Sequence, residues 1–87
     1  MKIERNDIRD KINHIIADII EREDSNFEEN ANLINDLEFD SMCYLELSVQ
    51  IQREYGVIIS AQEWERIKTL KELYDVIVLK LNTNEQA

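Results

Sequence analysis

The sequence predicts an all-α fold, a four-helix bundle with three longer helices and one short third helix. Gly and Pro, which most often interrupt regular structure, are almost absent, with one Gly and no Pro in 87 residues. The apolar residues recur three and four positions apart, which is the period of an amphipathic helix. A chain of this length holds one modest core, so we expect residues 1–87 to form a single domain.

A first helix is predicted from about Asn6 to Glu23, and the side chain of Asn6 or Asp7 can cap its start. His14 lies in this segment and is expected to be a surface or boundary residue, since a lone histidine cannot anchor zinc. The apolar face of the helix consists of Ile8, Ile12, Ile15, Ile16, Ile19 and Ile20.

A loop is predicted next, because residues 24–32 are polar and show no helical period. Within it, Ser25 and Glu28 have the spacing of a short capping box. The loop then becomes apolar, and we expect this part to pack onto the helices. Its apolar residues are Leu33, Ile34, Leu37 and Phe39.

A second helix is predicted to begin at Asp40 or Ser41 and to end near Tyr55, before Gly56, where a left-handed stop is expected. It carries two apolar stripes, although a helix in a small bundle needs only one buried face. The second stripe is therefore either an exposed docking surface or is buried between other helices, and the period leaves both open. The first stripe is Leu47, Ile51 and Tyr55, beside Tyr44 and Ser48, and the second is Met42, Leu45 and Val49.

The β-branched residues 57–59 have no partner strand, so we expect an extended loop that plugs the core. Ser60 and Glu63 then have capping-box spacing, which predicts a short third helix over Ala61–Arg66.

Thr69 and Glu72 repeat the capping-box spacing and predict a fourth helix that ends near Leu81. Residues 82–87 are polar and are expected to form a frayed tail. The apolar stripe of this helix is Leu70, Leu73, Tyr74, Ile77 and Leu81.

The net charge of −9, from 19 acidic and 10 basic residues, restricts the partners. Nucleic acids and anionic membranes attract Lys and Arg, so neither is expected to bind. A protein with a basic patch fits better, although the charge can also serve solubility alone. With one cysteine, no signal peptide and no long apolar run, we expect a cytoplasmic monomer.

Catalytic patterns are missing from the sequence. No second residue accompanies His14 to form a serine triad or a zinc site, and there is no Gly-rich phosphate loop. No stretch has the alternating oxygen ligands, central Gly and terminal Glu of a calcium loop. The chain is therefore expected to be neither an enzyme nor a metal-binding protein.

One short segment has distinctive chemistry, the Asp40-Ser41-Met42 junction between the apolar loop and the second helix. A serine at the N-terminus of a helix lies among free backbone N–H groups and near the positive end of the dipole, which favour a phosphate. The same residues are also common helix N-caps, so the tripeptide alone permits both interpretations.

The wider context resembles the acyl carrier and peptidyl carrier protein family. The resemblance extends from the first helix to Leu81 and is strongest from Leu33 to Leu73. Residues 33–42, read as LINDLEFDSM, are similar to the family's approach to its modification site. Further matches are the Glu46-Leu47 pair, Tyr55, Ile59 and the run Ile67-Lys68-Thr69-Leu70.

This resemblance implies that Ser41 accepts 4'-phosphopantetheine from coenzyme A through a separate phosphopantetheinyl transferase, and that the arm's thiol carries the cargo as a thioester. It implies that Asp40 caps the helix and is read by the transferase. Acyl-loading and acyl-processing enzymes with basic docking surfaces are the other implied partners. The residues that match the family's partner-facing positions are Met42, Leu45, Glu46 and Val49.

Four positions depart from the family pattern. Glu38 and Phe39 occupy a stretch in which the family often has Gly, and Cys43 replaces an acidic residue common in fatty-acid carriers. Arg53 interrupts the acidity of the second helix. We therefore expect a specialised carrier of a polyketide, nonribosomal-peptide or fatty-acid-like pathway. The competing hypothesis is an unmodified helical adaptor that docks partners through the Met42/Leu45/Val49 stripe and does not need the Ser41 hydroxyl.

Overall fold

The computed structural model describes residues 4–84 and is built of helices, with no named strand among those residues. The predicted fold of three longer helices and one short third helix is confirmed. The helices are α1 (Arg5–Ile19), α2 (Ser41–Tyr55), α3 (Ala61–Arg66) and α4 (Leu70–Asn84). Residues 82–84, predicted to belong to a frayed tail, continue α4, and the rest of that tail lies outside the described residues.

Both ends of α1 differ from the prediction. The helix begins after Glu4, without a side-chain cap, so the caps expected from Asn6 or Asp7 are not used. It ends at Ile19 because the chain turns through Glu21, which has a left-handed φ of 58°. The N–H of Arg22 then donates to the carbonyl of Ala17 at 2.8 Å, which closes the end in the manner of a Schellman motif.

The long loop between α1 and α2 is fixed onto the start of α4. The N–H of Leu33 donates to the carbonyl of Lys68 at 3.0 Å, and the N–H of Leu70 donates to the carbonyl of Ala31 at 3.2 Å. No helix follows the Ser25–Glu28 spacing, so the capping box predicted there is wrong. Leu33, Leu37 and Phe39 are buried as predicted, whereas Ile34 is exposed.

The other helix ends follow the local chemistry of the sequence. Gly56 ends α2 with a left-handed φ of 68°. Ser60 and Glu63 form the predicted capping box, with hydrogen bonds of 3.2 and 2.9 Å. Thr69 and Glu72 bond reciprocally in the same way at 3.3 and 3.0 Å. The start of α3 is therefore fixed by neighbouring residues, and the start of α4 by a neighbouring pair together with the loop bonded to it.

The core lies where α1 packs against α2 and α4. Val57 and Ile59 plug it from the loop after α2, and Ile58 between them points outward. Asn13 is the buried polar residue of this core, and the hydroxyl of Tyr74 donates a hydrogen bond to its Oδ1. Completely buried side chains include Ile8, Ile12, Ile16, Leu33, Leu47, Ile51, Leu70, Leu73, Tyr74 and Ile77.

Candidate functional site

Ser41 is the first residue of α2, and its side chain is exposed. Asp40 precedes it and caps the helix, since its Oδ1 accepts a hydrogen bond from the backbone N–H of Cys43 at 3.0 Å. The carbonyl of Asp40 accepts from the N–H of Tyr44 at 3.1 Å. Buried Phe39 anchors the chain on the other side. The serine hydroxyl is thus presented to solvent from a firmly held turn.

The electrostatics of this turn follow from the cap. The backbone N–H of Cys43 holds the pKa of the Asp40 carboxyl below its usual range. The carboxylate is therefore charged at neutral pH, directly beside Ser41.

His14 lies on α1, where it borders a separate concavity of about 520 Å³ together with Asn13 and Glu28. That concavity does not include Ser41.

Cys43, two residues after Ser41, is a half-buried free thiol. The backbone of Asp40 lowers the pKa of the Cys43 thiol, but burial, the Asp40 carboxylate and the charge of Glu46 outweigh this and raise the pKa overall. The thiol therefore stays protonated at neutral pH and is a poor nucleophile. We therefore assign the Cys43 thiol no role in the chemistry at Ser41.

The second apolar stripe of α2 is exposed, which decides between the two alternatives left open by its period. Met42, Leu45 and Val49 have exposed fractions of 63%, 59% and 42%. Glu46 beside them is also exposed. The first stripe faces inward, with Leu47 and Ile51 completely buried. The structure therefore brings Ser41 and an apolar surface together on one helix.

A chain of aromatic side chains, not foreseen from the sequence, closes the space between α2 and α3. The rings of Phe39 and Tyr44 meet edge to face with centroids 5.2 Å apart, and those of Tyr44 and Trp64 do the same at 5.2 Å. The indole Nε1 of Trp64 donates to Oγ of Ser48 at 2.8 Å. These residues come from three separate segments, so no local pattern announces their contact.

A surface groove of about 300 Å³ borders this aromatic chain. Tyr44, Trp64, Ile34 and Ile67 supply its apolar lining, and three polar side chains complete it: Asn32, Glu65 and Lys68.

Within residues 4–84, no three His, Cys, Asp or Glu side chains are placed to hold a metal ion. Over the same residues, every helix is too short or too polar to cross a bilayer.

Comparison with known proteins gives one consistent result. A family model described as a phosphopantetheine attachment site matches residues 10–77. An acyl carrier protein of Lactobacillus acidophilus is 39% identical over 64 residues, which cover 74% of this chain and 80% of the relative. The polyketide-8 synthase acyl carrier protein 2 of Streptomyces avermitilis is 27% identical over 73 residues and 84% of each chain.

The fold agrees with these relatives. A solved chain from Mycobacterium tuberculosis, described among the acyl carrier proteins, superposes with a TM-score of 0.75 at 26% identity. The match covers 83% of this chain and 96% of that one.

Proposed function

Because the chain belongs to the acyl carrier proteins, which bear a covalent 4'-phosphopantetheine arm, we propose that Ser41 is the residue to which the arm is attached. Members of this family carry acyl groups for other enzymes and are not themselves catalysts. The observation that carries the proposal is the placement of Ser41. It is an exposed serine at the first position of α2, inside the matched region, with its backbone held by the Asp40 cap.

The attachment is a simple displacement at phosphorus. The hydroxyl of Ser41 forms a P–O bond to the phosphate of the pantetheine half of coenzyme A. The pyrophosphate P–O bond breaks, adenosine 3',5'-bisphosphate leaves with the electron pair, and the serine proton passes to a base of the transferase. The Asp40 carboxylate beside Ser41 accepts a hydrogen bond from the N–H of Cys43, and its lowered pKa makes it a weak base, so we assign the base to the transferase. Once attached, the arm supplies a thiol that holds cargo as a thioester.

Partner proteins are part of this function, since an acyl carrier is a substrate for a transferase and for biosynthetic enzymes. We propose that they dock on the α2 stripe of Met42, Leu45 and Val49, with Glu46 at its edge. When a partner covers an exposed apolar stripe of this kind, apolar surface is removed from water, which stabilises the complex.

The charge distribution supports basic docking surfaces on those partners. Residues 20–40 hold eight of the 19 acidic side chains and one of the 10 basic ones, whereas α2 holds two acidic residues and one basic residue. Long-range attraction would therefore be directed mainly at the loop that leads to Ser41, and the contact on α2 would be mainly apolar.

We place the carrier in a specialised polyketide, nonribosomal-peptide or fatty-acid-like pathway. The low charge of α2, with Cys43 after Met42 and Arg53 near the helix end, supports this placement. The similarity to a polyketide carrier is compatible with it but extends equally to other acyl carriers.

Attachment is tested by intact mass after incubation with coenzyme A and a broad-specificity phosphopantetheinyl transferase. We expect the wild-type protein and a Ser25→Ala control to gain one phosphopantetheine, and Ser41→Ala to gain none while its circular dichroism stays unchanged. A folded wild-type protein that gains no mass with an active transferase would contradict the proposal. That result would favour the unmodified adaptor, whose docking needs no Ser41 hydroxyl.

Docking is tested by the rate of the same reaction. Leu45→Lys places a charge in the α2 stripe, and Leu79→Lys is a matched control, since Leu79 on α4 is 66% exposed and Leu45 is 59% exposed. We expect Leu45→Lys to lower kcat/KM of the transferase about tenfold, the effect of losing one central interface contact, and Leu79→Lys to leave it unchanged. Equal rates for the two variants would remove the stripe from the transferase interface.

A further inference from the structure

The position of Trp64 bears on which cargo the carrier can shelter. Ser41, Tyr44 and Ser48 lie three and four residues apart, so they share one side of α2. Trp64 of α3 contacts this side at two points. Its Nε1 donates a hydrogen bond to Oγ of Ser48 at 2.8 Å, and its ring meets the Tyr44 ring edge to face, with the centroids 5.2 Å apart. An acyl group carried on Ser41 would meet this closed side of α2 first.

The interior behind Trp64 is already filled. Leu47 and Ile51 on α2 and Leu73 and Ile77 on α4 are completely buried. The groove of about 300 Å³ has Tyr44 and Trp64 in its lining, so this free space lies at the surface, beside the aromatic pair.

An acyl chain could enter between α2 and α3 only if Trp64 moved. That movement would leave the indole N–H and the Ser48 hydroxyl without their hydrogen bond, and it would separate the Tyr44 and Trp64 rings. A short or polar acyl group gains too little from burial to compensate for these losses. A longer chain would also have to displace completely buried core residues such as Leu47, Ile51 and Leu73, so its additional methylenes gain little.

From this geometry we infer that Trp64 determines the cargo: it closes the cleft between α2 and α3, so acyl groups stay at the surface and are not enclosed in the bundle. This inference rests on the proposed attachment at Ser41. It assigns the carrier to short or polar acyl groups, which need no apolar shelter.

The test compares acetyl, hexanoyl and decanoyl forms, prepared by the transferase from the corresponding acyl-coenzyme A and verified by intact mass. The rate at which hydroxylamine cleaves each thioester reports shelter, because an enclosed thioester is protected from the nucleophile. In the wild-type protein we expect the three thioesters to react at similar rates and the thermal midpoint to be independent of chain length.

Two substitutions separate the size of the side chain from its hydrogen bond. Trp64→Leu removes ring volume and should let the decanoyl chain enter, which slows its cleavage about tenfold relative to acetyl, roughly the effect of burying two methylenes. Trp64→Phe keeps an aromatic ring but lacks the N–H donor, and we expect it to remain closed. Circular dichroism verifies that both variants fold.

The outcomes are distinguishable. A wild-type decanoyl form that is cleaved much more slowly than the acetyl form would overturn the inference while leaving the attachment at Ser41 intact. Unchanged decanoyl cleavage in a folded Trp64→Leu protein would also overturn it. Failure of every form to gain mass would instead contradict the attachment itself, and the inference with it.

Discussion

Tyr74 of α4 donates its hydroxyl hydrogen bond to Oδ1 of Asn13 on α1, and both residues are buried. The two residues are 61 positions apart in the sequence, so the bond joins the first and last helices of the bundle. Aliphatic core residues pack around the pair on the inner side, and the guanidinium of Arg5 lies over the Tyr74 ring, 5.4 Å from its centroid. A polar pair in such a setting favours the one arrangement of α1 and α4 that satisfies it.

The first prediction concerns the coupling of this pair. Tyr74→Phe leaves the Asn13 oxygen buried without its donor, and Asn13→Ala leaves the Tyr74 hydroxyl without its acceptor. We expect each substitution to lower the free energy of unfolding by about 1–3 kcal/mol, measured by urea titration with circular dichroism. The double variant should lose clearly less than the sum, and additive losses would mean that the hydrogen bond is not the source of the effect.

The second prediction is a loss of stability in alkali. Burial raises the pKa of Tyr74 from 10 to about 12. The unfolded chain therefore releases this proton at lower pH than the folded protein does, so the stabilisation is complete below pH 10 and is lost as pH rises towards 12. Because the pKa rises from 10 to about 12, the free energy of unfolding falls by at most about 3 kcal/mol over this range.

The control for this effect is Tyr74→Phe, which has no proton to release. Burial also raises the pKa values of Tyr44 and Tyr55, so the wild-type protein and the variant should both become less stable in alkali. The wild-type protein should show the steeper fall. Parallel curves of unfolding free energy against pH would exclude a contribution from Tyr74.

The third prediction concerns Glu38, which has a left-handed φ of 56° just before the site. A residue with a β carbon is strained there by about 1–2 kcal/mol, while glycine is not. Because glycine also loses more chain entropy on folding, we expect Glu38→Gly to stabilise the protein by about 0.5–1 kcal/mol. Glu38→Ala keeps the β carbon and should change little. A stabilisation by alanine equal to that by glycine would point to the carboxylate and not to the backbone.

The fourth prediction concerns the cap of α2. Asp40→Ala removes the acceptor for the N–H of Cys43 and should lower the thermal midpoint of unfolding. Asp40→Asn keeps an acceptor and should therefore retain most of the stabilisation that the cap provides. The pKa of Asp40 is depressed below its usual 3.8, so its charge stabilises the fold above pH 3.8 and this contribution is lost in stronger acid. The difference between wild type and Asp40→Asn should therefore shrink in acid, and a constant difference would exclude the charge.

The starts of α2, α3 and α4 could be predicted because their causes are local, whereas α1 begins without a side-chain cap. Asp40, Ser60 and Thr69 each accept a hydrogen bond from the residue three positions later, and this spacing is visible in the sequence. The end of α1 could not be predicted, since the apolar period continues to Ile20 and the turn falls on Glu21, a residue type that rarely adopts a positive φ.

The candidate site was predictable to a similar degree. Ser41 follows from its resemblance to a known pattern and its place at a helix start. The exposure of Leu45 does not follow from its period, because two stripes of similar character share α2 and only the packing of the other helices decides which is covered. The contact between Trp64 and Ser48 joins two helices, and no spacing within either helix encodes it.

The pairing of residues 31–33 with 68–70 also has a consequence for synthesis. The ribosome makes the loop ahead of Ser41 long before it makes the strand-like segment onto which the loop is bonded. A nascent chain that still lacks α4 has neither these backbone bonds nor the buried Leu70, Leu73 and Ile77. We therefore expect the transferase to act only after α4 has been synthesised and has packed, so that unfinished products do not consume coenzyme A.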